Sequence, residues 1–348
     1  MKRISTFYVI VLVMVFSFFL GLSTSASAYI VYDVQTIDVP SSAGNTTRAT
    51  GINDNGYIVG SYYSPGNGYR GFRDQGGVFT TGGNISGAAD TYPFDAADVV
   101  NGSYWRVGYY DTKNNGVVNG EHGYLSNGTN TYTITYPGAT YTRAYGINNL
   151  GQIVGRYQDG TNGNYYGFLF NANTSQFTAT YQYQGFNTGL TDINNLGEML
   201  GVYLGSDGYR NSVVLDQNWN VIDSSTTTTD SNSPFKNTWA LKVNDNGIVV
   251  GYLDNQNLPG ATSYLSEGLI HVIGANDDGG QYNIPNALWT RIFGINDSNE
   301  IVGDYADING VMHGFSAYVN TSVPEPATML LLGLGLMGLA GIRRKFSN

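Results

Sequence analysis

The sequence predicts an all-β chain, a six-bladed β-propeller closed by its N-terminal strand and flanked by a signal peptide and a C-terminal single-span sorting helix. Three observations lead there. A turn-and-strand pattern recurs six times at nearly constant spacing. Its second strand is apolar on both faces. The last repeat lacks a strand that reappears at the start of the chain. A chain of 348 residues can hold one large β domain or two ordinary ones.

Residues 1–28 carry the marks of a secretory signal. Lys2 and Arg3 form a positive n-region, Phe7 to Leu22 an apolar h-region, and Ala26-Ser27-Ala28 a small-residue site, so cleavage is expected after Ala28. An uncleaved anchor helix is the other reading of this stretch.

The body, expected over 29–320, is repetitive. The pattern Ile/Val-Asn-x-x-Gly-x-x-Val-Gly appears at Ile52–Gly60, Ile147–Gly155, Ile193–Gly201, Val243–Gly251 and Ile295–Gly303, with a degenerate copy at Val100-Asn101 to Gly108. The closing glycines lie 48, 47, 46, 50 and 52 residues apart. Repeats are placed near 48–92, 93–140, 141–186, 187–233, 234–284 and 285–319, the last completed by 30–43.

Each repeat reads as a four-stranded meander. Asn53-Asp54-Asn55-Gly56 is a tight-turn sequence, because these residues tolerate positive φ. It leads into Tyr57–Tyr63, then Arg70–Arg73, then Val78–Thr81. Third strands are expected to recur at His122–Leu125, Tyr166–Phe170, Ser212–Leu215, Ser263–Leu265 and His313–Phe315, with His271 on a fourth strand. Ile58 and Tyr62 face one way and Val59 and Tyr63 the other, as sheets stacked on both sides require. The recurring Gly60-type residue leaves room for a neighbouring aromatic ring. Ser224–Ser233 reads as a polar loop between the fourth and fifth repeats.

The ends distinguish a ring from a linear solenoid. The last repeat stops after its third strand, while Val34–Pro40 parallels the fourth strand Thr131–Pro137 of the second repeat. A linear array has no reason to split one unit between its termini, whereas a ring closes that way. The repeats resemble the HAF-type extracellular repeat family: His122-Gly123-Tyr124 and His313-Gly314-Phe315 hold its His-Ala-Phe place, with Gly for Ala. The resemblance implies β repetition and an extracellular location.

At the C-terminus, Val323-Pro324-Glu325-Pro326 precedes sixteen uncharged residues, Ala327 to Ile342, and then Arg343-Arg344-Lys345. As a helix the apolar stretch spans about 24 Å, marginal against a ~30 Å hydrocarbon core. The basic cluster stays cytoplasmic, which puts the body outside. This tripartite tail resembles the PEP-CTERM sorting signal of exopolysaccharide-producing Gram-negative bacteria. The resemblance implies that a membrane exosortase cuts near Pro324, Glu325 and Pro326 and releases or transfers the body. It places the chain at the cell-envelope surface or in the extracellular matrix, with transient or permanent anchoring through the tail. A plain transmembrane anchor is the alternative. Gly333-Leu334-Gly335-Leu336-Met337-Gly338 fits a dinucleotide-binding motif but lies inside the apolar stretch with no βαβ context, and is coincidental.

Composition excludes several chemistries. With no cysteine, the chain has no disulfide, no thiolate metal site and no thiol nucleophile. Without both terminal segments 11 basic groups face 25 acidic ones, a net charge of −14, so nucleic acid is not an expected partner. The three histidines accompany no catalytic motif and read as structural. Calcium is the one cofactor the Asp/Asn-rich loops admit. Yet Asp111–Gly116 has Lys113 at a ligand position and His122 at position 12, and turn geometry accounts for the other runs. No cofactor or metal is therefore assigned.

Counting five residues back from each repeat Asn gives Arg48, Ala96, Arg143, Gly189, Trp239 and Arg291, with Tyr141 and Trp289 two residues before two of the arginines. In a propeller these positions start the channel-lining strand. Guanidinium forks bind carboxylates and aromatic faces stack on sugars, so Arg48, Arg143, Arg291, Trp239, Tyr141 and Trp289 are the expected ligand-binding residues for an acidic or neutral saccharide. The competing reading pairs each Arg with a neighbouring Asp or carbonyl. The expected function is a non-enzymatic surface protein that binds exopolysaccharide or another surface partner. The alternative is a secreted lyase or glycosidase with its site at the channel mouth, which would need two carboxylates facing one cleft.

Overall fold

A computed structural model describes residues 29–40, 46–81, 85–100, 103–114, 117–224, 236–255, 265–274 and 279–321. The signal segment with Ala26 and Ala28, most of the Ser224–Ser233 loop, the Pro324–Pro326 motif and the expected sorting helix lie outside these residues. Among the described residues no helix is long and apolar enough to cross a membrane. Apart from one 3-10 turn at Tyr183–Gly185, the regular structure is all β and propeller-like.

Five meanders follow one another. They are β2 (Arg48–Ile52) to β5 (Val78–Thr81) through β3 (Tyr57–Ser64) and β4 (Gly68–Gln75); β6 (Asp90–Val100), β7 (Ser103–Asn114), β8 (Val117–Ser126) and β9 (Thr131–Ile134); and β10 (Ala139–Ile147), β11 (Gln152–Asp159), β12 (Tyr165–Asn171) and β13 (Gln176–Tyr181). Then come β14 (Thr188–Ile193), β15 (Met199–Leu204), β16 (Arg210–Leu215) and β17 (Val221–Asp223), and β18 (Asn237–Val243), β19 (Ile248–Asp254), β20 (Ser266–Val272) and β21 (Gly280–Tyr282). The last sheet holds β22 (Trp289–Ile295), β23 (Glu300–Ala306) and β24 (Met312–Asn320), with β1 (Ile30–Ile37) antiparallel on its outer edge. A single parallel bridge, Tyr141 to Glu121, joins the second and third meanders.

The N-terminal strand occupies the fourth-strand place of the last sheet. Ile30 pairs with Asn320 and Ile37 with Gly314. The Tyr305 hydroxyl meets Thr36 Oγ1 at 3.1 Å, just as Tyr110 meets Thr133 in the second sheet at 3.1 Å.

The repeat asparagine explains both the hairpins and their stacking. Asn53 is buried, and its Oδ1 accepts the N–H groups of Asn55 and Tyr57, so the turn closes on a side chain while Gly56 takes φ +70°. Its Nδ2 reaches the next sheet at Ala97 O, 3.2 Å away. The equivalent bonds run Asn148 to Asn194, Asn194 to Asn244, Asn244 to Asn296, and Asn296 back to Asn53 O at 3.1 Å. The apolar clusters follow the same order. Six of them straddle two successive sheets, and one of these joins Val302 of the last sheet to Ala49, Ile52 and Phe72 of the first. A Cβ on Gly303 would lie 2.0 Å from Arg291 O and 2.6 Å from the Phe315 ring, so only glycine lets that ring lie on its neighbour.

Two expectations are corrected. In the second repeat Pro93 pairs with Gly108 and Asp95 with Val107, matching Ala49 with Gly60 and Gly51 with Val59. The position in the second repeat equivalent to Arg48 is therefore Tyr92, not Ala96, and Ala97 replaces the repeat Asn. The β6–β7 hairpin runs past the usual turn, so counting back from Asn101 overshoots. In the fifth repeat the third strand is Ser266–Val272, and His271 lies on it rather than on a fourth strand. Leu269 opposite Gly251 is fully buried, whereas Leu265 is exposed, so core packing sets the register.

Candidate functional site

The first strands of successive sheets lie side by side, with β22 returning to β2. All six carry a β-bulge at the same place, at Thr50, Phe94, Tyr145, Thr191, Leu241 and Phe293. A bulge re-aims the side chain at the extra residue. Here all six bulge residues line one cavity of about 430 Å³, together with Arg48, Arg143, Arg156, Arg210, Trp239 and Tyr252 among others.

The residues after the bulges meet below the cavity: Gly51, Asp95, Gly146, Asp192, Lys242 and Gly294. Lys242 Nζ lies 2.8 Å from Asp95 Oδ2, 3.1 Å from Asp192 Oδ1 and 3.1 Å from Tyr145 O. All three charged side chains are buried. The remaining carboxylate oxygen of Asp192 accepts the Val243 N–H, and Asp95 accepts that of Ile147. Glycine opposite is required, since a Cβ on Gly146 would lie 2.5 Å from Asp192 Oδ1. Burial pushes the Asp192 carboxyl up to about 6; Lys242 opposes the shift and Asp95 adds to it. The two attractive contacts raise the Lys242 pKa despite burial.

Lys242 also lines a smaller recess of about 60 Å³ on the turn side, bordered by Asp54, Asp98, Asn149, Asn195, Asp245 and Asp297. There the N–H of Asp98, Asn149, Asn195, Asp245 and Asp297 each donates to the side chain of the next ring member, Asp297 to Asp54 at 2.7 Å. Burial, with Asp297 and Asp98 alongside, pushes the Asp54 carboxyl up to about 7. Among the described residues no group of three or more His, Asp or Glu is arranged to hold a metal.

Of the expected binding residues, Arg48, Arg143 and Trp239 border the cavity. Arg48 and Arg291 share the fully buried Asp304, with contacts of 2.9 Å and 2.7 Å. Arg143 forks onto Glu121. Trp289 lies 4.4 Å below the Arg291 guanidinium, and Trp239 Nε1 donates to Asp254 at 3.0 Å. Tyr141 lines an adjacent recess of about 240 Å³ with Glu121, Arg143 and Arg156.

The repeat count missed Arg156 and Arg210. Arg156 lies over Tyr165 at 4.9 Å and near Tyr145 at 5.9 Å, and Arg210 over Trp239 at 4.4 Å. Neither makes an ion pair with the described residues. The signal for Arg156 was its place directly after the closing Gly155 and opposite Arg143; nothing in the repeat marks Arg210.

Each histidine contacts a neighbouring polar side chain. His122 touches Thr135 at 3.3 Å, His313 touches Asp38 at 2.8 Å, and buried His271 meets Asp223 at 3.1 Å across two sheets. Asp111 is a different case. It is a cross-strand neighbour of both Asp90 and Glu121, its Oδ1 is buried without a hydrogen bond, and burial with both acidic neighbours pushes its carboxyl up to about 6.

Residues 322–345 match the PEP-CTERM protein-sorting motif, which marks an exported, envelope-sorted chain processed by an exosortase. A search of curated proteins found no match. Among solved structures, TolB from Acinetobacter baumannii is similar at 13% identity and TM-score 0.44, over 80% of this chain and 66% of TolB's length. The β-propeller domain of the Trilobed protease from Pyrococcus furiosus, of open velcro topology, is similar at 8% identity and TM-score 0.41, over 82% of this chain and 98% of that one. The SapL1 lectin in complex with alpha methyl fucoside is similar at 12% identity and TM-score 0.44, over 82% of this chain and 98% of that one. At these identities the likeness is one of fold alone.

Proposed function

We propose that the chain is an exported envelope protein whose body is a six-bladed β-propeller closed by β1, and that it binds polysaccharide or another surface partner at the mouth of its axis. The cyclic series of asparagine bonds and shared cores supports the closed shape. One observation carries the binding role: six bulges aim into one cavity whose walls include four arginines and several aromatic side chains. Flat aromatic faces and guanidinium groups suit sugar rings and their polar substituents. The acidic side chains nearest the axis favour binding over hydrolysis, because Asp95 and Asp192 are buried on Lys242. The enzymatic reading keeps one supporting pair, Asp111 and Glu121. Asp111 is held near 6 as a general acid would be, but Glu121 is engaged by Arg143.

The test is retention of the producing organism's exopolysaccharide by the full chain, with Trp239→Ala against wild type. Removing the indole from the cavity wall should weaken retention about tenfold, the scale of one lost aromatic contact. Equal retention by both would refute the mouth as the site, and release of reducing ends would favour the enzyme.

A further inference from the structure

Four arginines line the cavity, Arg48, Arg143, Arg156 and Arg210, and with Arg291, which shares Asp304 with Arg48, they are not equivalent. Arg48 and Arg291 are held by Asp304 and Arg143 by Glu121, so their charge serves the protein itself. Arg156 and Arg210 rest on aromatic faces instead, with no carboxylate within ion-pair distance among the described residues. Burial first and then Arg156 lower the Arg210 pKa, while Tyr252 and the buried Asp254 act against them from beyond ion-pair distance. Two half-buried like charges side by side are unfavourable in the free protein, the more so when a body of net charge −14 offers many acidic partners. The backbone accommodates the arrangement: a Cβ on Gly189 would lie 3.2 Å from Arg156 Cδ, so glycine there lets the arginine stem cross toward the cavity.

Resting on that reading of the mouth, we infer that the cavity selects a carboxylate-bearing saccharide, a uronate polymer, through Arg156 and Arg210. Each planar fork presents paired N–H donors that match a carboxylate bidentately, while Trp239 and Tyr165 offer flat surfaces beside them for the sugar ring. A ligand carboxylate also relieves the repulsion between the two guanidinium groups, so binding gains from both contacts. The three paired arginines keep their geometry throughout.

The experiment is calorimetric titration of the full chain in detergent with tetragalacturonate, its methyl ester and a sulfated galactan tetramer. Wild type should bind the free acid about tenfold more tightly than the ester, as one or two charge-assisted hydrogen bonds supply. Arg156→Gln with Arg210→Gln should abolish that preference, bind acid and ester alike and keep the wild-type circular-dichroism spectrum, since neither arginine holds an ion pair among the described residues. Equal wild-type affinity for acid and ester would overturn the carboxylate inference and leave the mouth reading standing. A preference for the sulfated probe alone would overturn it in favour of sulfate. No binding of any probe, together with unchanged exopolysaccharide retention by Trp239→Ala, would overturn both.

Discussion

Replacing Lys242 by Met tests the ion cluster under the mouth. The Lys242 side chain is 6% exposed and those of its partners Asp95 and Asp192 are 9% and 5% exposed, so the variant strands two carboxylates with little water to replace the lost contacts. Breaking one buried pair costs about 3–5 kcal/mol, and two partners put this site at the upper end. For a body of this size that is a fall in Tm on the order of 10 °C at pH 8. The pH dependence separates electrostatics from packing. In wild type the folded Asp192 pKa of about 6 lies above its ordinary 3.8, so its contribution to stability is complete below 3.8 and lost as pH rises through 6. Without Lys242 the Val243 N–H is left to oppose burial at Asp192, whose carboxyl then protonates at higher pH in the folded state. The deficit should therefore shrink steadily between pH 8 and pH 4.5 in thermal melts followed by circular dichroism. Adding Asp95→Asn and Asp192→Asn should recover most of the loss at pH 8. A deficit that stays constant with pH, or one below about 1 kcal/mol as for an ordinary surface change, would refute the argument.

Asp111→Asn should raise Tm at pH 8 and leave it unchanged near pH 4. The wild-type carboxyl, at about 6, contributes stability below its ordinary value and loses it as pH rises through 6; melts at the two pH values read the difference. Gly303→Ala should destabilise by about 1–3 kcal/mol in chemical denaturation, because a methyl there meets Arg291 O and the Phe315 ring at distances no rotamer relieves. Retention of the fold by Gly310→Ala at the exposed loop, where nothing lies within 4 Å of the Cβ, serves as its comparison, with only the φ +80° strain to bear.

Much of the architecture was legible because its causes are local. Asn53-Asp54-Asn55-Gly56 announces its turn through one side chain and one positive φ. Val34–Pro40 could be matched to Thr131–Pro137 because both supply a threonine at the same step of the same strand. The second repeat was misread where local spacing stopped being informative: the longer β6–β7 hairpin moves Asn101 away from the repeat position, and only the pairing of Pro93 with Gly108 restores it. Of the site, counting back from the repeat asparagine reached Arg48, Arg143 and Trp239 at the cavity but also chose arginines that Asp304 and Glu121 neutralise.

The sequence by itself determined the C-terminal sorting motif, the all-β class, the repeat and its turns, since each depends on residues within a few positions of one another. Tertiary structure alone decided that Asp95, Asp192 and Lys242 share one buried contact, and that, of the arginines lining the cavity, Arg156 and Arg210 have no ion pair among the described residues. Those outcomes depend on which side chains from strands fifty or more residues apart come within about 3 Å, and a charge has no fixed role until its partner is in place.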